Sequence, residues 1–455
     1  MRGIVAVLVL VLANALLAVP AAADTFKLSD ALALAYTTNP ELEAARARVR
    51  AADDAVAEAR GGWRPNVSVT GSFGYARQDN IIPTFFGEVQ EFGPVTGHAT
   101  ATQPIVTGGQ AYAQVQRAIA LVRAARADLL NAEQQILLAA ATAYLDVVRD
   151  TEALRIHQGD VDVLARQRDA TKTQLDAGAT TRTDLEEVEV RIAGAQADLA
   201  LAQAQLAQSR DSFERVIGRP AETLEDAPPL PRLPGTQDQA LALALRLSPR
   251  IQSAQANDKA AQYGIDNAVG ALLPHASIVA DYTYLQGTQT FGYRAKTGTF
   301  SVIGQLSIPL YQGGAEDARV REAKEARSQT RLGIADADQA TRQITKDAWM
   351  SFLAAQTAVG FNRQRVAASE QALDGVIQQQ HEGERSIIDI LNAEQERLSA
   401  QVALAGSSHD MVVTSYQVLA AVGELTAKQL TLRVKLYDPN VHYDDNSTSW
   451  TGLGD

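Results

Sequence analysis

The stretch Asn66-Val-Ser-Val-Thr-Gly-Ser-Phe-Gly-Tyr75 alternates between apolar and polar side chains. In a strand, Val67, Val69, Phe73 and Tyr75 would share one face, and the intervening polar residues would share the other. A tilted strand of about ten residues is long enough to cross an outer membrane, where aromatic residues lie near the interfaces. The pattern therefore predicts a membrane strand. A half-buried sheet in a water-soluble domain is the alternative for this stretch taken alone.

Three further stretches have related patterns. Ala276–Tyr284 and Phe300–Ile308 alternate in the same way, whereas His98–Gln103 is weaker and consists mostly of Ala and Thr. Four strands cannot close a barrel, and open strand edges are not tolerated in hydrocarbon. We therefore expect several chains to combine. Two chains would supply eight strands and three would supply twelve, and a tube that continues into paired helices favours three.

The chain contains two copies of one plan. Ala31-Leu-Ala-Leu-Ala35 corresponds to Ala240-Leu-Ala-Leu-Ala244, and the pair Gly108-Gly109 corresponds to Gly313-Gly314. Each copy has a short helix, a strand, a loop, a strand, a long helix, a tight turn and another helix. The proline-rich segment between the copies cannot be helical. The predicted parts are repeat one at 24–226, a linker at 227–237, repeat two at 238–424 and a C-terminal tail at 425–455.

The helices are predicted at 29–61, 110–177 and 184–218 in copy one and at 238–270, 316–381 and 389–423 in copy two. In the first long helix, Val115, Val122 and Leu129 recur every seven residues, and Leu130 and Leu137 begin a second seam one position later. Two seams indicate a neighbouring helix on each side, as in the wall of a tube. An ordinary helical bundle is the alternative interpretation.

The N-terminal segment has the pattern of a secretory signal. Arg2 precedes an apolar run that ends in Ala21-Ala-Ala23, a small-residue cleavage site. We therefore expect residues 1–23 to be removed during export. No later window has a comparable apolar run, so any contact with a bilayer is expected to come from strands. Because the chain has no cysteine, we also expect no lipid anchor on the mature N-terminus.

Composition excludes several classes of function. The 455 residues are 46% hydrophobic and 21% charged and carry a net charge of −12, which does not suit nucleic-acid binding. The absence of cysteine excludes thiol catalysis and cysteine-based metal sites. The six histidines have no metal-ligand spacing, and no Gly-Lys-[Ser/Thr] follows the glycine pairs. We therefore expect no enzyme activity, no metal and no cofactor.

With these features in place, the sequence resembles the TolC family of outer-membrane efflux channels over nearly the whole mature chain. The likeness is carried by Gln103–Gly109, its counterpart Ile308–Gly314, the turn Gly178–Leu185, the segment Gly383–Leu391, and the tail Tyr437–Tyr443 ahead of Trp450. The tail resembles that of the subgroup paired with type I secretion. Many efflux-only relatives carry an acylated N-terminal cysteine, which is absent here, and this difference favours the secretion or dual-use branch.

The resemblance implies a fold that is mainly α with membrane β. It implies a homotrimer in which a twelve-stranded β-barrel, with four strands per chain, continues into a long periplasmic α-helical barrel. The implied function is a passive exit duct in outer-membrane lipid, used in type I protein secretion or multidrug efflux. The implied partners are a periplasmic adaptor protein and an inner-membrane ABC or proton-driven transporter. The alternative is a periplasmic helical adaptor or scaffold without a channel of its own.

The turns at Gly178 and Gly383 each lead into a capping pair, Thr181-x-x-Asp184 and Ser386-x-x-Asp389, whose side chains can satisfy free amides of the next helix. Helix capping alone is one explanation of these aspartates. The other is that the turns lie at the narrow free end of a helical tube, where acidic side chains would form a ring facing permeant molecules.

By resemblance, Asp389 matches a constriction aspartate, and Arg385 matches an arginine whose ion pairs hold the entrance closed. Thr183 and Asp184 match its partners on the other turn. Two positions differ from the best-known members, because Asn392 replaces a second acidic residue and Gln380 replaces a tyrosine. The residues expected to dock the adaptor are Gly178, Leu185, Gly383 and Ile390.

Overall fold

A computed structural model describes residues 25–78, 90–226, 228–290 and 293–450. The predicted export signal at 1–23 lies outside the described residues. The helices are α1 Leu28–Thr38, α2 Pro40–Arg60, α3 Gln110–Asp176, α4 Arg182–Ile217, α5 Gln237–Leu247, α6 Pro249–Gly270, α7 Ala315–His381, α8 Ile387–Val422 and α9 Asn440–Asn446. The strands are β1 Asn66–Phe73, β2 Ala76–Gln78, β3 Gln90–Phe92, β4 Val95–Thr107, β5 His275–Thr290 and β6 Tyr293–Ser307. Among the described helices, none has both the length and the apolar character of a membrane span.

The four long strands form one antiparallel sheet in the order β1-β4-β5-β6, while β2 and β3 form a separate two-stranded ribbon. The strand predicted weakly at 98–103 is in fact 13 residues long. Its Ala- and Thr-rich sequence has only a weak strand pattern, but β4 forms a full strand because it is hydrogen-bonded to β1 on one side and to β5 on the other. The strand expected to reach Tyr75 ends instead at Phe73.

The register of the sheet places most of the large apolar residues of β1, β5 and β6 on one face, whereas Val279 and Ile303 lie on the other. Val69 lies opposite Ala99, which pairs with Tyr282, which in turn pairs with Phe300. Val69 is 78% exposed and Phe300 69% exposed in the single chain. Apolar surface of this extent requires a cover that one chain does not provide.

The helices that precede the strands are each broken by a proline. The predicted continuous helices at 29–61 and 238–270 are therefore wrong. Asn39, before Pro40, has ψ 122°, and Ser248, before Pro249, has ψ 118°. The proline ring excludes the helical conformation at the preceding residue, while proline itself suits the first helical position. The side-chain oxygen of Asn39 accepts a hydrogen bond of 2.9 Å from the amide of Glu41 and so caps the second helix.

The glycine pairs bend the chain between strand and helix. Gly108, Gly109, Gly313 and Gly314 all have positive φ, between 57° and 83°. At Gly108 there is a second requirement, because a β-carbon would lie 2.3 Å from the carbonyl oxygen of Gly270. Glycine is therefore needed at Gly108 for both its conformation and its lack of a side chain.

The residues divide into two compact units that do not coincide with the sequence repeats. Among the described residues, the first contains those up to Glu43 together with those in 132–248 and 341–436, and the second contains those in 44–131 and 249–340 and those from Tyr437. Each unit takes segments from both repeats. In the first unit, Tyr144 of α3 is fully buried, and its hydroxyl lies 2.8 Å from the carbonyl oxygens of Phe26 and Glu225. The corresponding Trp349 of α7 packs in an apolar cluster with Phe352.

In the second unit, the C-terminal tail (residues 437–450) lies on α2 and α3 and is held by arginines. The guanidinium of Arg126 donates to the side chain of Asn440 at 2.8 Å and to the carbonyl of Pro439 at 3.1 Å. It also lies 5.4 Å from the ring centre of Tyr443 and 3.8 Å from the carboxylate of Asp53. Asp53 is completely buried, and this burial raises its pKa against the opposing effect of Arg126.

We expect Arg126→Met to lower the melting temperature of the purified protein, because it leaves a buried carboxylate without its cation. The loss of one partner of a buried pair costs about 3–5 kcal/mol. The decrease in melting temperature should be smallest at acid pH, where the Asp53 carboxyl group is protonated and needs no cation. A carboxyl group with a raised pKa stabilises the fold below that pKa, and this contribution is lost as the pH rises through it. Circular dichroism at several pH values measures it.

The double variant Arg126→Met/Asp53→Asn should recover part of the lost stability, because the buried charge is gone. Arg123→Met, at an exposed arginine one turn earlier on α3, is the matched control. Equal melting temperatures for the Arg126 and Arg123 variants would contradict the role given to Arg126.

Candidate functional site

The first turn joins α3 to α4 and has the hydrogen bonds of a helix C-terminus that ends on glycine. The amide of Gly178, at φ 67°, donates to the carbonyl of Leu175 at 2.9 Å, and the amide of Ala179 donates to that of Gln174 at 2.8 Å. This pattern closes the last turn of α3 and requires the left-handed conformation that glycine adopts without strain. The second turn repeats it at Gly383, at φ 80°.

Both predicted capping boxes are confirmed. The Thr181 hydroxyl accepts from the amide of Asp184 at 3.2 Å, and a carboxylate oxygen of Asp184 accepts from the Thr181 amide at 2.9 Å. Ser386 and Asp389 make the equivalent bonds at 3.3 and 2.9 Å. Each aspartate therefore holds the start of its helix, whatever else it does.

These hydrogen bonds keep both carboxylates charged. The Thr181 hydroxyl, the Thr181 amide and the Thr180 hydroxyl lower the pKa of Asp184. The amide of Ser386, its hydroxyl and the nearby Arg385 guanidinium lower the pKa of Asp389. Because each donor stabilises the charged form, the two turns carry fixed negative charge throughout the neutral and mildly acidic range.

Within the chain, Arg385 interacts with its own turn. Its guanidinium lies 3.6 Å from a carboxylate oxygen of Asp389 and donates to the side-chain oxygen of Gln379 at 3.1 Å. In the described chain its contacts are with these two residues and not with Thr183 or Asp184, its expected partners. Its side chain is half exposed and can reach other groups. The pairing with a neighbouring helix pair stays a prediction about the assembled protein.

A cross-helix contact that the sequence did not predict joins the two turns' helices. Arg191 of α4 donates to the side-chain oxygen of Asn392 of α8 at 2.8 Å. Asn392 replaces an acidic residue of the best-known family members, and its side-chain amide oxygen accepts this hydrogen bond without carrying a charge. The one sequence signal for Arg191 is its position on α4, two helical turns after Asp184.

An apolar cluster holds the same helices together. Its buried members are Leu164, Val188, Ile192, Ala195, Leu373, Ile387, Ile390 and Leu391. Ile390, expected at a docking surface, is only 7% exposed and belongs to this cluster. Leu185 is half-buried, Gln380 is half-buried, and the two turn glycines are exposed. The exposed part of each turn is therefore mainly its backbone and polar side chains, together with Ile388 at the start of α8.

The described residues contain no group of three or more His, Asp or Glu side chains arranged to hold a metal ion. The chemistry available at the turns is that of fixed carboxylates and guanidinium groups, which suits contact with ions and with other protein surfaces.

Comparison with known proteins gives a consistent result. The chain matches the family described as outer membrane efflux protein twice, over residues 31–219 and 240–424, which agrees with the internal duplication. It is 33% identical over 434 residues to the outer membrane efflux protein BepC of Brucella suis biovar 1, covering 94% of this chain and 91% of the relative. It is 25% identical to the proteases secretion protein PrtF of Dickeya chrysanthemi, covering 83% and 84%.

The fold is that of solved outer-membrane channels. The structure superposes on the Campylobacter jejuni CmeC outer membrane channel with a TM-score of 0.78 at 15% identity, covering 92% of this chain and 89% of that one. The expected fold class is thus confirmed. These comparisons favour the channel hypothesis over the alternative of a periplasmic adaptor.

We expect Thr181→Val to loosen the start of α4, because valine keeps the shape of threonine but cannot bond to Asp184. Loss of a cap costs about 1 kcal/mol, so exchange of the Asp184 amide should be about fivefold faster. Hydrogen exchange followed by mass spectrometry measures this. Since the pKa of Asp184 is lowered, the cap stabilises the helix at neutral pH and is lost as the pH falls through that lowered pKa.

Ser386→Ala is the matched control. It should speed exchange at the start of α8 and leave the start of α4 unchanged. Equal exchange at Asp184 in the parent protein and in Thr181→Val would show that this capping bond contributes nothing.

Proposed function

We propose, since the chain belongs to the outer membrane efflux protein family, that it is a passive exit duct which crosses the outer membrane and works with a periplasmic adaptor and an inner-membrane pump. The observation that carries this proposal is the four-stranded sheet, whose apolar face is exposed and whose outer strands β1 and β6 each have one free edge in the described chain. Lipid covers such a face, and copies of the same sheet complete the edges.

The relatives support a transport role of two kinds. BepC is named as an efflux protein and PrtF as a secretion protein for proteases. We therefore propose that the chain serves type I protein secretion, multidrug efflux or both. We propose that the duct is passive and takes its energy from the pump, since no nucleotide-binding Gly-Lys-[Ser/Thr] follows either glycine pair.

The proposed assembly is a homotrimer. Three copies of the four-stranded sheet give a closed twelve-stranded barrel, which leaves no free edge in lipid. The strands would lie in the outer membrane and the helices in the periplasm. The proposed parts keep the sequence boundaries, with a signal at 1–23, repeats at 24–226 and 238–424, a linker at 227–237 and a periplasmic tail at 425–455.

The two helix–helix turns are proposed as the periplasmic gate. Asp389 and Arg385 would lie at its constriction, with Asp184 and Thr183 on the facing turn and with Asn392 and Gln380 nearby. The fixed charges of the capping aspartates and the half-exposed guanidinium of Arg385 support this assignment. The exposed glycines 178 and 383 and the half-buried Leu185 are proposed to meet the adaptor, whereas Ile390 would support them from the core.

The first test is the assembly state. Native mass spectrometry of the full chain in detergent should give three copies, because only closure pairs the edges of β1 and β6. A stable monomer would contradict both the barrel and the duct.

The second test concerns the gate. We expect Arg385→Ser to raise single-channel conductance in a planar bilayer, because it removes the cation that bonds to Asp389 and to groups of neighbouring turns. Each such pair contributes about 1 kcal/mol or less at a wet site, but the trimer repeats it three times. Arg182→Ser, at an exposed arginine that pairs with Glu186 on the other turn, is the matched control and should conduct like the parent.

Asp389→Ala should weaken block by multivalent cations without dissociating the trimer, because it removes a ring of carboxylates. If the Arg385 and Asp389 variants both conduct and bind cations like the parent, these residues only shape the turn, and the constriction lies elsewhere.

A further inference from the structure

A histidine and an aspartate lie side by side on the polar face of the four-stranded sheet. The Nε2 atom of His98 on β4 is 3.0 Å from a carboxylate oxygen of Asp281 on β5. Two threonines complete the group: Thr100 donates to Asp281 at 3.2 Å and lies 2.8 Å from His98 Nε2, and Thr283 donates to Asp281 at 2.9 Å and lies 3.0 Å from His98 Nδ1. Both ring nitrogens and both carboxylate oxygens thus have partners.

The contacts are fully satisfied only when the imidazole carries two protons. The single hydroxyl proton of Thr283 is used on Asp281, so the Nδ1–Thr283 contact becomes a hydrogen bond when Nδ1 itself donates. Nε2 then donates to Asp281. With one ring proton, one of these contacts brings two acceptors together, unless a threonine turns its proton away from Asp281. The site therefore has two protonation states with different hydrogen bonding.

The surrounding face carries no other charge that would mask this change. On β1, the residues next to His98 are Thr70 and Ser68, and on β6 those next to Asp281 are Thr299 and Ser301. On β1, β4, residues 275–286 of β5 and residues 296–307 of β6, the one further titratable residue with the same facing is His275, at the start of β5. His275 lies 2.9 Å from the side-chain oxygen of Gln110.

The apolar residues on the opposite face of the sheet indicate the direction in which the side chains of His98 and Asp281 point. That face carries Val69, Tyr282, Phe300 and Val302, which are 47% to 78% exposed in the single chain and would lie against lipid. The side chains of His98 and Asp281 then face the water inside the barrel. They are 49% and 26% exposed, so both water and ions reach them.

We propose that His98 and Asp281 form a titratable selectivity band in the lumen of the barrel, which makes the preference of the channel for small cations over small anions depend on pH. This inference rests on the proposed duct. With neutral imidazole the band has one negative charge per chain, and with protonated imidazole it has none. Rings of carboxylates favour cations in pores, and imidazole in general changes its charge between about pH 5 and 8.

The test uses the purified full-length protein in a planar bilayer with a potassium chloride gradient. The reversal potential gives the permeability ratio of potassium to chloride at pH 8, 7, 6 and 5. We expect the parent to prefer potassium at pH 8 and to lose about twofold or more of that preference by pH 5, since one charge per chain is neutralised beside the path of the ions. Asp184 and Asp389 contribute no such change, because their lowered pKa values keep them charged throughout.

Two variants separate the members of the pair. His98→Gln keeps a polar side chain without the titrating ring, and its selectivity should stay at the pH 8 value of the parent throughout. Asp281→Asn should show a weaker potassium preference than the parent at pH 8, because its band is neutral there. Its preference should weaken further at pH 5, because the band becomes positive while Asp184 and Asp389 stay charged. The matched control is His442→Gln. His442 also lies 3.0 Å from an aspartate, Asp54, but in the C-terminal tail, and this variant should follow the parent.

Three outcomes would overturn the proposal. These are a parent channel whose selectivity is the same at pH 8 and pH 5, a His98→Gln channel that keeps the pH dependence of the parent, and an Asp281→Asn channel whose potassium preference at pH 8 equals that of the parent. The last variant decides the matter if His98→Gln fails to assemble. A parent protein that conducts without pH dependence refutes the band alone, whereas a parent that forms no channel refutes the duct itself.

Discussion

The pairing of backbone hydrogen bonds in a medium without water is the constraint on which the other features depend. In the sheet, β4 and β5 are paired on both sides, whereas β1 and β6 each have one free edge in the described chain. Unpaired amide and carbonyl groups are too costly in hydrocarbon, so the apolar face seen at Val69 and Phe300 can meet lipid only after further copies close the sheet. Closure directs the polar face inward, and a polar interior is what a passive route for solutes requires.

Duplication gave the chain two versions of each structural solution, and the differences between them mark the places where function can differ. Both helix–helix turns use glycine followed by a capping box. The second residue after the turn glycine differs, however. In copy one it is Thr180, which adds a hydroxyl donor to Asp184, and in copy two it is Arg385, which adds a guanidinium beside Asp389. The first donor is neutral and local. The second is a long cation that can also reach a neighbouring chain, so the two turns are alike in fold and unlike in electrostatics.

Much of the candidate site could be predicted from the sequence because it depends on local rules. Glycine ends a helix in the left-handed conformation, and a hydroxyl followed three residues later by a carboxylate begins the next one, so Asp184 and Asp389 were assigned correctly as caps. The contact between Arg191 and Asn392 could not be predicted. It joins residues far apart in the chain, and no repeating pattern connects them. The burial of Ile390 also depends on which neighbours pack against it.

The sequence by itself determined the period-two strands, the long helices, the duplication and the family resemblance, because each is written in the spacing of apolar residues, glycines and prolines along one segment. It underestimated β4, whose Ala- and Thr-rich sequence is a strand chiefly because two neighbours supply its hydrogen bonds. The tertiary structure alone decided the cross-strand register. That register brings His98 beside Asp281, and the packing of α2 beside α3 brings Arg126 to the buried Asp53. Such pairs depend on the alignment of separate segments, which is settled by the packing and hydrogen bonding of the whole fold and not by the pattern of any one of them.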